Sequence, residues 1–158
     1  MRVGLGVDVH AFDPPRPLVL GGVTIDEAPG LAGWSDADVA CHAVADALLG
    51  AAGLGDLGAH FPEERMPEGS SSLELLAETL RKVAEAGFRP VNVDVTVIAQ
   101  AVRLARYREA MAARMASVLD LEAGAVNVKA TTTDRLGFLG REEGMAAMAV
   151  VLIEPVTA

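Results

Sequence analysis

The segment that most limits the fold is Met145 to Ile153, because its residues are apolar on both faces of an extended chain. Such a strand must be covered on both sides, so we expect it at the centre of a sheet or in an interface between subunits. Two other segments, Val3 to Val9 and Val91 to Val97, alternate between apolar residues and polar or small ones, which is the period of a strand. Val126 to Ala130 is predicted to form a further short strand.

Capping signals and periodic apolar residues predict three helices among these strands. The predicted helices cover Val39 to Ala52 after a Ser35/Asp38 capping box, a stretch from a Ser71/Glu74 capping box to near Gly87, and about Leu104 to Leu119. The connections are a hairpin over Leu18 to Ile25, a loop over 54–70 with one helical turn, and a loop over Thr131 to Gly144. This order predicts an α+β fold, a two-layer mixed β-sheet with helices on one face, in a single domain over residues 1–158.

Composition limits the partners that this chain can have. Apolar residues make up 51% of it but aromatic residues only 4%, and a small monomer has limited interior for so much Ala, Val and Leu, so we expect an oligomer. A net charge of -9 leaves no basic stripe for nucleic acid, and no apolar run is long enough to cross a membrane. The single cysteine and the absence of a signal- or transit-like start predict a cytoplasmic protein.

Asp8 and His10 lie two positions apart on the first strand, so both side chains leave the same face. On these two residues alone, a polar pair facing solvent is the better interpretation. His42 changes this, because Asp38, His42 and Asp46 lie at i, i+4 and i+8 along one face of a predicted helix. A histidine flanked by carboxylates suits a supported metal ligand, although a solvated acidic face would look the same. Two histidines and an aspartate would suit zinc, with a fourth position left for water or substrate.

A second polar segment, Val128 to Asp134, leaves a strand and enters a loop. Its threonines, its lysine and its backbone N–H groups could hold phosphates, and Asp134 could carry a second cation. Strand ends rich in threonine are common, so this pattern is weak by itself. Arg141, in the turn that follows, could bind an anion, although an exposed arginine beside two glutamates explains it as well. Cys41 points away from His42 around the helix and is expected in the core.

Taken together, these segments are similar to one family from end to end. The matching motifs are Gly-x-Asp-Val-His at Gly6 to His10, Ser-Asp-Ala-Asp-Val-x-x-His-Ala-x-x-Asp-Ala-Leu-Leu-Gly-Ala at Ser35 to Ala51, Gly-Asp-Leu-Gly at Gly55 to Gly58, Asn-Val-Asp-Val at Asn92 to Val95 with Ala-Gln-Ala at Ala99 to Ala101, and Asn-Val-Lys-Ala-Thr-Thr-Thr at Asn127 to Thr133 with Leu-Gly-Phe at Leu136 to Phe138. They resemble 2-C-methyl-D-erythritol 2,4-cyclodiphosphate synthases, and the block from Ser35 to Ala51 is the most specific of them.

The resemblance implies a role for each matched position. Asp8, His10 and His42 would bind zinc or another divalent ion, Asp134 would hold magnesium or manganese, and these four residues would act in catalysis together with Thr132. The residues implied in substrate binding are Trp34, Ser35, Asp56, Gly58, Ala99, Arg103, Leu104, Ala105, Ala130, Thr132, Phe138 and Arg141. Of these, Ala99, Arg103, Leu104, Ala105, Ala130 and Thr132 would form a cytidine pocket contributed by a neighbouring subunit.

The implied reaction turns 4-diphosphocytidyl-2-C-methyl-D-erythritol 2-phosphate into 2-C-methyl-D-erythritol 2,4-cyclodiphosphate and CMP, a lyase step of non-mevalonate isoprene biosynthesis. The resemblance also implies a homotrimer with active sites between subunits and an axial cavity that can hold an isoprenoid diphosphate. Two other functions stay open. One is a non-catalytic trimeric protein that binds a cytidine nucleotide. The other is a zinc hydrolase, although the sequence has no His-Glu-x-x-His motif.

A few positions depart from the family pattern. Trp34 stands where histidine is usual, and Asp134 replaces a glutamate and is one methylene shorter. In the cytidine loop, Arg103 replaces lysine and Val102 replaces proline. The stretch from Glu63 to Ser70 shares little with its counterpart and is predicted to be a lid over the sugar. The three predicted zinc positions are unchanged.

Overall fold

The computed structural model describes residues 1–122 and 124–156 of the chain. Its strands are β1 (Arg2–Leu20), β2 (Val23–Leu31), β3 (Phe88–Ile98), β4 (Val126–Thr131) and β5 (Gly144–Pro155). Its helices are α1 (Val39–Ala52), α2 (Leu57–His60), α3 (Ser72–Glu85), α4 (Arg108–Val118) and α5 (Gly137–Gly140), with a 3-10 turn at Glu63–Arg65. The single-domain prediction for residues 1–158 stays a prediction, and residues 123, 157 and 158 lie outside the described part of the chain.

The strands form one five-stranded mixed sheet in the order β2-β1-β5-β3-β4. β5 is antiparallel to both of its neighbours, β1 and β3, whereas β3 and β4 run parallel. On one face of the sheet, α1 lies across β1, β5 and β3, α3 packs against α1 and β3, and α4 packs against β4. The structure therefore confirms the predicted α+β fold and the central position of the segment Met145 to Ile153.

The first part of β1, over residues 3–9, turns its glycines rather than its valines and leucine toward the helical layer. A Cβ atom built on Gly4 would overlap the carbonyl oxygen of Ala47, and one built on Gly6 would overlap that of Ala43. The helix α1 can lie this close to the strand because neither residue has a side chain and because α1 presents alanines to it. Since side chains alternate along a strand, Asp8 and His10, which follow Gly4 and Gly6 at intervals of two, also point toward α1.

The opposite side of the sheet carries an apolar surface, which we call the outer sheet face. It is formed by Val3, Leu5, Val7 and Val9 of β1 and by Met148 and Val150 of β5, and these residues are 39% to 67% exposed in the single chain. β1 and β5 are adjacent, and Val7 pairs with Met148, so the apolar residues are contiguous. Monomeric soluble proteins rarely expose a contiguous apolar patch of more than a few hundred Å².

The start of α1 differs from the predicted capping box. Asp38 is the capping residue, because its side chain accepts hydrogen bonds from the backbone N–H groups of Ala40 at 3.1 Å and Cys41 at 3.0 Å. Ser35 was predicted to begin this box, but its hydroxyl instead accepts a hydrogen bond from the N–H of Ala37 at 3.1 Å. The prediction of a Ser35/Asp38 box is therefore wrong, since the serine lies too far before the helix to reach its free amides.

The start of α3 also has a different cap. Ser71 precedes the helix but makes no side-chain capping hydrogen bond. The carboxylate of Asp36, from the segment before α1, accepts a hydrogen bond from the N–H of Ser72 at 3.0 Å. A residue distant in sequence thus satisfies one of the free amides of this helix start. The predicted Ser71/Glu74 capping box is wrong for this reason.

The start of α4 and the content of one loop also differ from the sequence prediction. α4 begins at Arg108 rather than near Leu104, because a turn comes first, in which the N–H of Tyr107 donates to the carbonyl of Leu104 at 2.9 Å. The helical turn predicted within the loop over 54–70 is present as α2, whereas the loop over Thr131 to Gly144, predicted without a helix, contains the short helix α5. Within the described residues, no single helix has the length and apolar character to cross a membrane. Only when α1 is taken together with the stretch Leu57–Arg65, which is bent away from it, are the combined length and composition sufficient.

The close approach of β1 and α1 predicts opposite effects for one substitution at two glycines. Gly6→Ala should lower the free energy of unfolding by about 1–3 kcal/mol, because the new methyl group would push α1 away from the strand. Gly50→Ala should raise it by roughly 0.5–1 kcal/mol, because the site is exposed, nothing lies within 4 Å of the new Cβ, and alanine is the better helix former. Urea unfolding measures both variants. A Gly6→Ala protein as stable as the parent would contradict the close packing described here.

Candidate metal centre

Three residues from two elements meet on the inner side of the sheet. β1 supplies Asp8 and His10, and α1 supplies His42. The Oδ2 atom of Asp8 lies 3.0 Å from Nε2 of His10 and 3.0 Å from Nδ1 of His42. One ligand atom from each residue falls within 4.8 Å of the other two, a spacing that a metal ion can fill. The structure therefore brings together the three residues that the sequence predicts as ligands of one metal.

The contacts of His10 identify which of its ring nitrogens is free. Its Nδ1 lies 2.5 Å from the carbonyl oxygen of Ala32, which can only accept, so Nδ1 carries the proton. In the neutral ring Nε2 then has a lone pair, and this lone pair faces the carboxylate of Asp8 at 3.0 Å. Two acceptors at that distance repel unless positive charge lies between them. The site therefore calls for a proton or a cation, and a divalent cation suits two imidazoles and one carboxylate.

The second ring nitrogen of His42 is held by hydroxyl groups. Nε2 lies 2.9 Å from Oγ of Ser72 and 3.3 Å from Oγ of Ser35. His42 and Ser35 are each only 7% exposed and Ser72 is fully buried, so water is largely excluded from these contacts. The side of His42 that faces away from the cluster is thus occupied by serines rather than by carboxylates.

The two carboxylates that the sequence places beside His42 have other partners. Asp38 accepts hydrogen bonds from the N–H groups of Gly21 at 2.9 Å and Gly22 at 2.7 Å, in addition to those at the start of α1. Asp46 accepts one from the N–H of Leu57 at 3.0 Å. Spacing along α1 places the three side chains on one face but does not show what lies opposite each. This corrects the expectation that Asp38 and Asp46 support the metal ligand.

A cavity of about 290 Å³, which we call the metal cavity, opens beside the three clustered residues. Of the predicted substrate contacts, Trp34, Ser35 and Gly58 line it. The rest of its wall is mainly apolar and includes Leu57, Phe61, Pro62, Met66 and Leu75. The indole N–H of Trp34 donates a hydrogen bond to the carbonyl of Met66 at 2.7 Å, so Trp34 fastens the predicted lid segment at the edge of this cavity.

A second cavity, of about 630 Å³, lies at the carboxyl ends of β3 and β4. Its wall includes every residue predicted for the cytidine pocket, namely Ala99, Arg103, Leu104, Ala105, Ala130 and Thr132. Within the described residues, no side chain lines both this cavity and the one beside the metal cluster. A single chain therefore carries the two parts of the predicted site in separate places.

The remaining predicted site residues line neither of these two cavities; they are Asp56, Asp134, Phe138 and Arg141. Asp56 caps α2 through its side chain. The N–H of Asp134 donates to Oγ1 of Thr132 at 3.2 Å. Since Thr132 lines the second cavity, Asp134 lies next to the wall of that cavity. Phe138 is 46% exposed, and Arg141 forms an exposed ion pair of 2.7 Å with a neighbouring glutamate.

A comparison with family models identifies the chain over almost its whole length. The model described as the YgbB family matches residues 1–154. The chain belongs to this family. Among its relatives, the 2-C-methyl-D-erythritol 2,4-cyclodiphosphate synthase of Syntrophobacter fumaroxidans is 56% identical, with 97% of this chain and 97% of the relative aligned. The synthase of the same name from Laribacter hongkongensis is 57% identical, with 98% of this chain and 96% of the relative aligned.

Solved structures share the fold of this YgbB-family chain. The bifunctional IspDF from Campylobacter jejuni is 45% identical with a TM-score of 0.94, and the alignment covers 98% of this chain and 42% of that longer one. IspF of Plasmodium falciparum, solved as a CDP complex, is 29% identical with a TM-score of 0.85, and the alignment covers 99% of this chain and 97% of the other. The mixed sheet and its helical layer are therefore shared with proteins of this type.

The surroundings of the cluster formed by Asp8, His10 and His42 favour the ionised form of the Asp8 carboxylate. Burial by itself would raise the pKa of Asp8, but the hydrogen bonds and charges of His10 and His42 outweigh it and hold the pKa of that carboxyl well below its usual range. The hydrogen bond to Asp8 raises the pKa of His10 above its ordinary value, against the effect of burial. Cys41 is fully buried in the core, as expected, and this burial raises the pKa of its thiol well above its usual range.

Some residues that shape this centre are not evident from the sequence patterns. Gly4 and Gly6 set the distance between β1 and α1, and in the sequence they appear only as the small positions of an alternating strand. Asp36 and Ser72 meet beside His42 although they are 36 residues apart in the chain. Both lie next to residues that the sequence pattern predicts as helix caps, and this is the signal of a polar role at these positions.

Removing one of the three ligands should remove the metal. His42→Ala should lose bound divalent metal and keep its fold, because the remaining aspartate and histidine cannot hold the ion as tightly as three ligands. His60→Ala is the matched control, since His60 contacts the carbonyl of Leu54 at 2.8 Å and lies outside the cluster. Elemental analysis of both purified variants, with circular dichroism for the fold, measures the effect. Normal metal content in His42→Ala would rule out this cluster as the binding site.

Proposed function

We propose that this protein converts 4-diphosphocytidyl-2-C-methyl-D-erythritol 2-phosphate into 2-C-methyl-D-erythritol 2,4-cyclodiphosphate and CMP, as a phosphorus–oxygen lyase of non-mevalonate isoprenoid biosynthesis. One combined observation carries the proposal. The chain aligns from end to end with synthases of that name, and its residues Asp8, His10 and His42 cluster beside a cavity with mainly apolar walls.

We assign zinc to the cluster and magnesium or manganese to Asp134. Two imidazole nitrogens and one carboxylate oxygen are a common donor set for catalytic zinc, and they leave a fourth position for water or a substrate oxygen. The exposed carboxylate of Asp134 offers the oxygen ligands that magnesium and manganese prefer. When bound, these cations would supply the positive charge that draws the phosphates of the substrate together in a chain of net charge -9.

The proposed reaction balances within the substrate itself. An oxygen of the 2-phosphate forms a bond to the β phosphorus, the bond from that phosphorus to the bridging oxygen breaks, and CMP leaves with the bridging oxygen. The nucleophile belongs to the substrate, so the chain needs no catalytic serine or cysteine. The side chains bind and align the two phosphates. The apolar residues of the metal cavity, including Phe61 and Leu75, would limit the access of water that could otherwise hydrolyse the diphosphate.

The positions of the predicted contacts support a substrate that stretches between the two cavities. Trp34 and Ser35 would meet the methylerythritol phosphate beside the metal cluster, where both line the cavity. Asp56 and Gly58 would meet the ribose, and the loop from Ala99 to Ala105 with Ala130 and Thr132 would hold the cytosine base. The solved CDP complex of the Plasmodium falciparum protein supports a ligand linked to cytidine diphosphate.

A homotrimer would join the two separate cavities. Since the metal cavity and the cytidine cavity of one chain share no lining residue, we propose that each active site combines the metal cavity of one subunit with the cytidine cavity of the next. The outer sheet face supports an assembly of this kind, because its contiguous apolar residues would be buried between subunits. We further propose that the trimer axis holds an isoprenoid diphosphate near the exposed Arg141.

We also propose that the protein acts in the cytoplasm. Its single cysteine is a buried free thiol, which suits a reducing compartment.

Phosphorus NMR of the purified protein with the proposed substrate, zinc and magnesium tests the reaction. Cyclic diphosphate and CMP should appear together, and omitting magnesium should slow their formation because the charge near Asp134 is then not neutralised. Bound but unchanged substrate would favour the non-catalytic nucleotide-binding function. Trp34→His, which restores the residue usual in the family, would then be the first variant to test. Linear phosphate products would favour a hydrolase.

A charge on the outer sheet face should prevent assembly. Val7→Glu should give a monomer that keeps its fold, because the new carboxylate would be buried without a partner between subunits. Val156→Glu is the matched control, since Val156 is 53% exposed against 52% for Val7 but lines a groove with Leu80 of α3 on the helical side. Sedimentation velocity distinguishes monomer from trimer. A trimeric Val7→Glu protein would show that this face is not the interface.

A further inference from the structure

We infer that Asp36 and Ser72 are positioning residues, which together keep a proton on Nε2 of His42 and thereby leave its Nδ1 available to the metal. The inference rests on the proposed function only for the identity of the metal. It replaces the supporting role that the spacing along α1 assigned to Asp38 and Asp46, because Asp38 accepts several backbone amides, Asp46 accepts the N–H of Leu57, and Nε2 of His42 contacts serine hydroxyls instead.

The direction of the hydrogen bonds follows from the chemistry of the groups. The Oγ of Ser72 lies within hydrogen-bonding distance of Oδ1 of Asp36 and 2.9 Å from Nε2 of His42. Both oxygens of Asp36 accept backbone N–H groups, and the hydroxyl of Ser72 donates its proton to Oδ1 of this carboxylate. The oxygen of Ser72 then has only lone pairs to offer to His42. Nε2 must therefore be the donor and carry a proton.

The carboxylate of Asp36 is itself held in place by two backbone amides. Its Oδ2 accepts from the N–H of Ser72 at 3.0 Å, and its Oδ1 accepts from the N–H of Asp38 at 3.2 Å. Asp36 thus accepts hydrogen bonds from both the backbone N–H and the hydroxyl of Ser72. These two contacts leave Ser72 little freedom to turn its hydroxyl proton toward His42. A hydroxyl without such a partner could donate or accept, and would not select either protonation state of the ring.

Ser35 offers a weaker competing contact on the same nitrogen. Its Oγ lies 3.3 Å from Nε2 of His42, against 2.9 Å for Ser72, and it already accepts a hydrogen bond from Ala37. If Ser35 donated to a bare Nε2, the oxygen of Ser72 and that nitrogen would face each other as two acceptors at 2.9 Å. The shorter contact therefore decides the position of the proton.

With Nε2 protonated, the metal-facing nitrogen is the correct one. In a neutral His42 ring, Nδ1 has the lone pair, and this atom lies 3.0 Å from Oδ2 of Asp8. His10 reaches the same state by a different contact, since the carbonyl of Ala32 holds its proton on Nδ1 and leaves Nε2 free. Both histidines therefore present a lone pair toward the Asp8 carboxylate, and partners on the far side of each ring set this arrangement.

Zinc affinity of the metal-free protein, measured by competition with a chelator, tests the role of Ser72. Ser72→Ala should weaken zinc binding about 10–100-fold, because the ring loses the acceptor that fixes its proton. Ser72→Thr keeps the hydroxyl and should recover most of the affinity. Ser71→Ala is the matched control, because Ser71 precedes the same helix and makes no capping hydrogen bond, and it should bind as the parent does. Unchanged affinity in Ser72→Ala would overturn the inference.

Proton-detected nitrogen NMR of the histidine rings tests the inference without any variant. Nε2 of His42 should carry a slowly exchanging proton in both the metal-free and the zinc-loaded protein, and Ser72→Ala should speed the exchange of that proton. A bare Nε2 in the metal-free protein would overturn the inference even if Ser72→Ala failed to fold. A parent protein that binds no zinc would contradict the proposed function instead, while the proton on Nε2 would still decide the role of Ser72.

Discussion

The candidate metal centre depends on how closely one strand and one helix approach each other. Gly4 and Gly6 leave no side chain between β1 and α1, and Ala43 and Ala47 present little more than their backbone to the strand. At this separation, Oδ2 of Asp8, the next inward residue of β1, comes within 3.0 Å of Nδ1 of His42. Larger residues at the glycine positions would move the helix outward, and the ligand atoms would no longer surround one point. A packing constraint in the core thus determines the geometry of the polar site beside it.

The same contact assigns different tasks to the acidic residues around α1. Asp38 is buried and is satisfied by amides of the hairpin turn and of the helix start, so it ties β1 and β2 to α1. Asp36 connects the start of α3 to the segment before α1. Of these carboxylates, Asp8 contacts the two histidine rings directly, and their hydrogen bonds and charges hold its pKa low. A strongly acidic chain can therefore serve an anionic ligand, because most of its nearby carboxylates are already occupied and the cluster is arranged to receive a cation.

The arrangement of the two faces of the sheet connects the site to the proposed assembly. Because the glycines at the start of β1 face the helices, Val3, Leu5, Val7 and Val9 form part of the outer sheet face and are about half exposed or more in the described part of the chain. The cytidine cavity lies at the ends of β3 and β4, apart from the metal cavity. Association through the outer sheet face would bury the apolar residues and could bring the two kinds of cavity together. One choice of strand orientation would then serve stability and site formation alike.

The sequence by itself determined the kinds of element and much of the site. Period-two alternation predicted β1 and β3, the apolar run predicted β5 as a central or interface strand, and the spacing of Asp8 and His10 placed both on one face. The tertiary structure alone decided which face of β1 is buried, because alternation is symmetric and does not say whether the glycines or the valines meet the helix. It also decided that Ser72 and Asp36, rather than Asp38 and Asp46, lie beside His42. Spacing along one helix fixes directions within that helix, whereas the partners of each side chain depend on how separate elements pack.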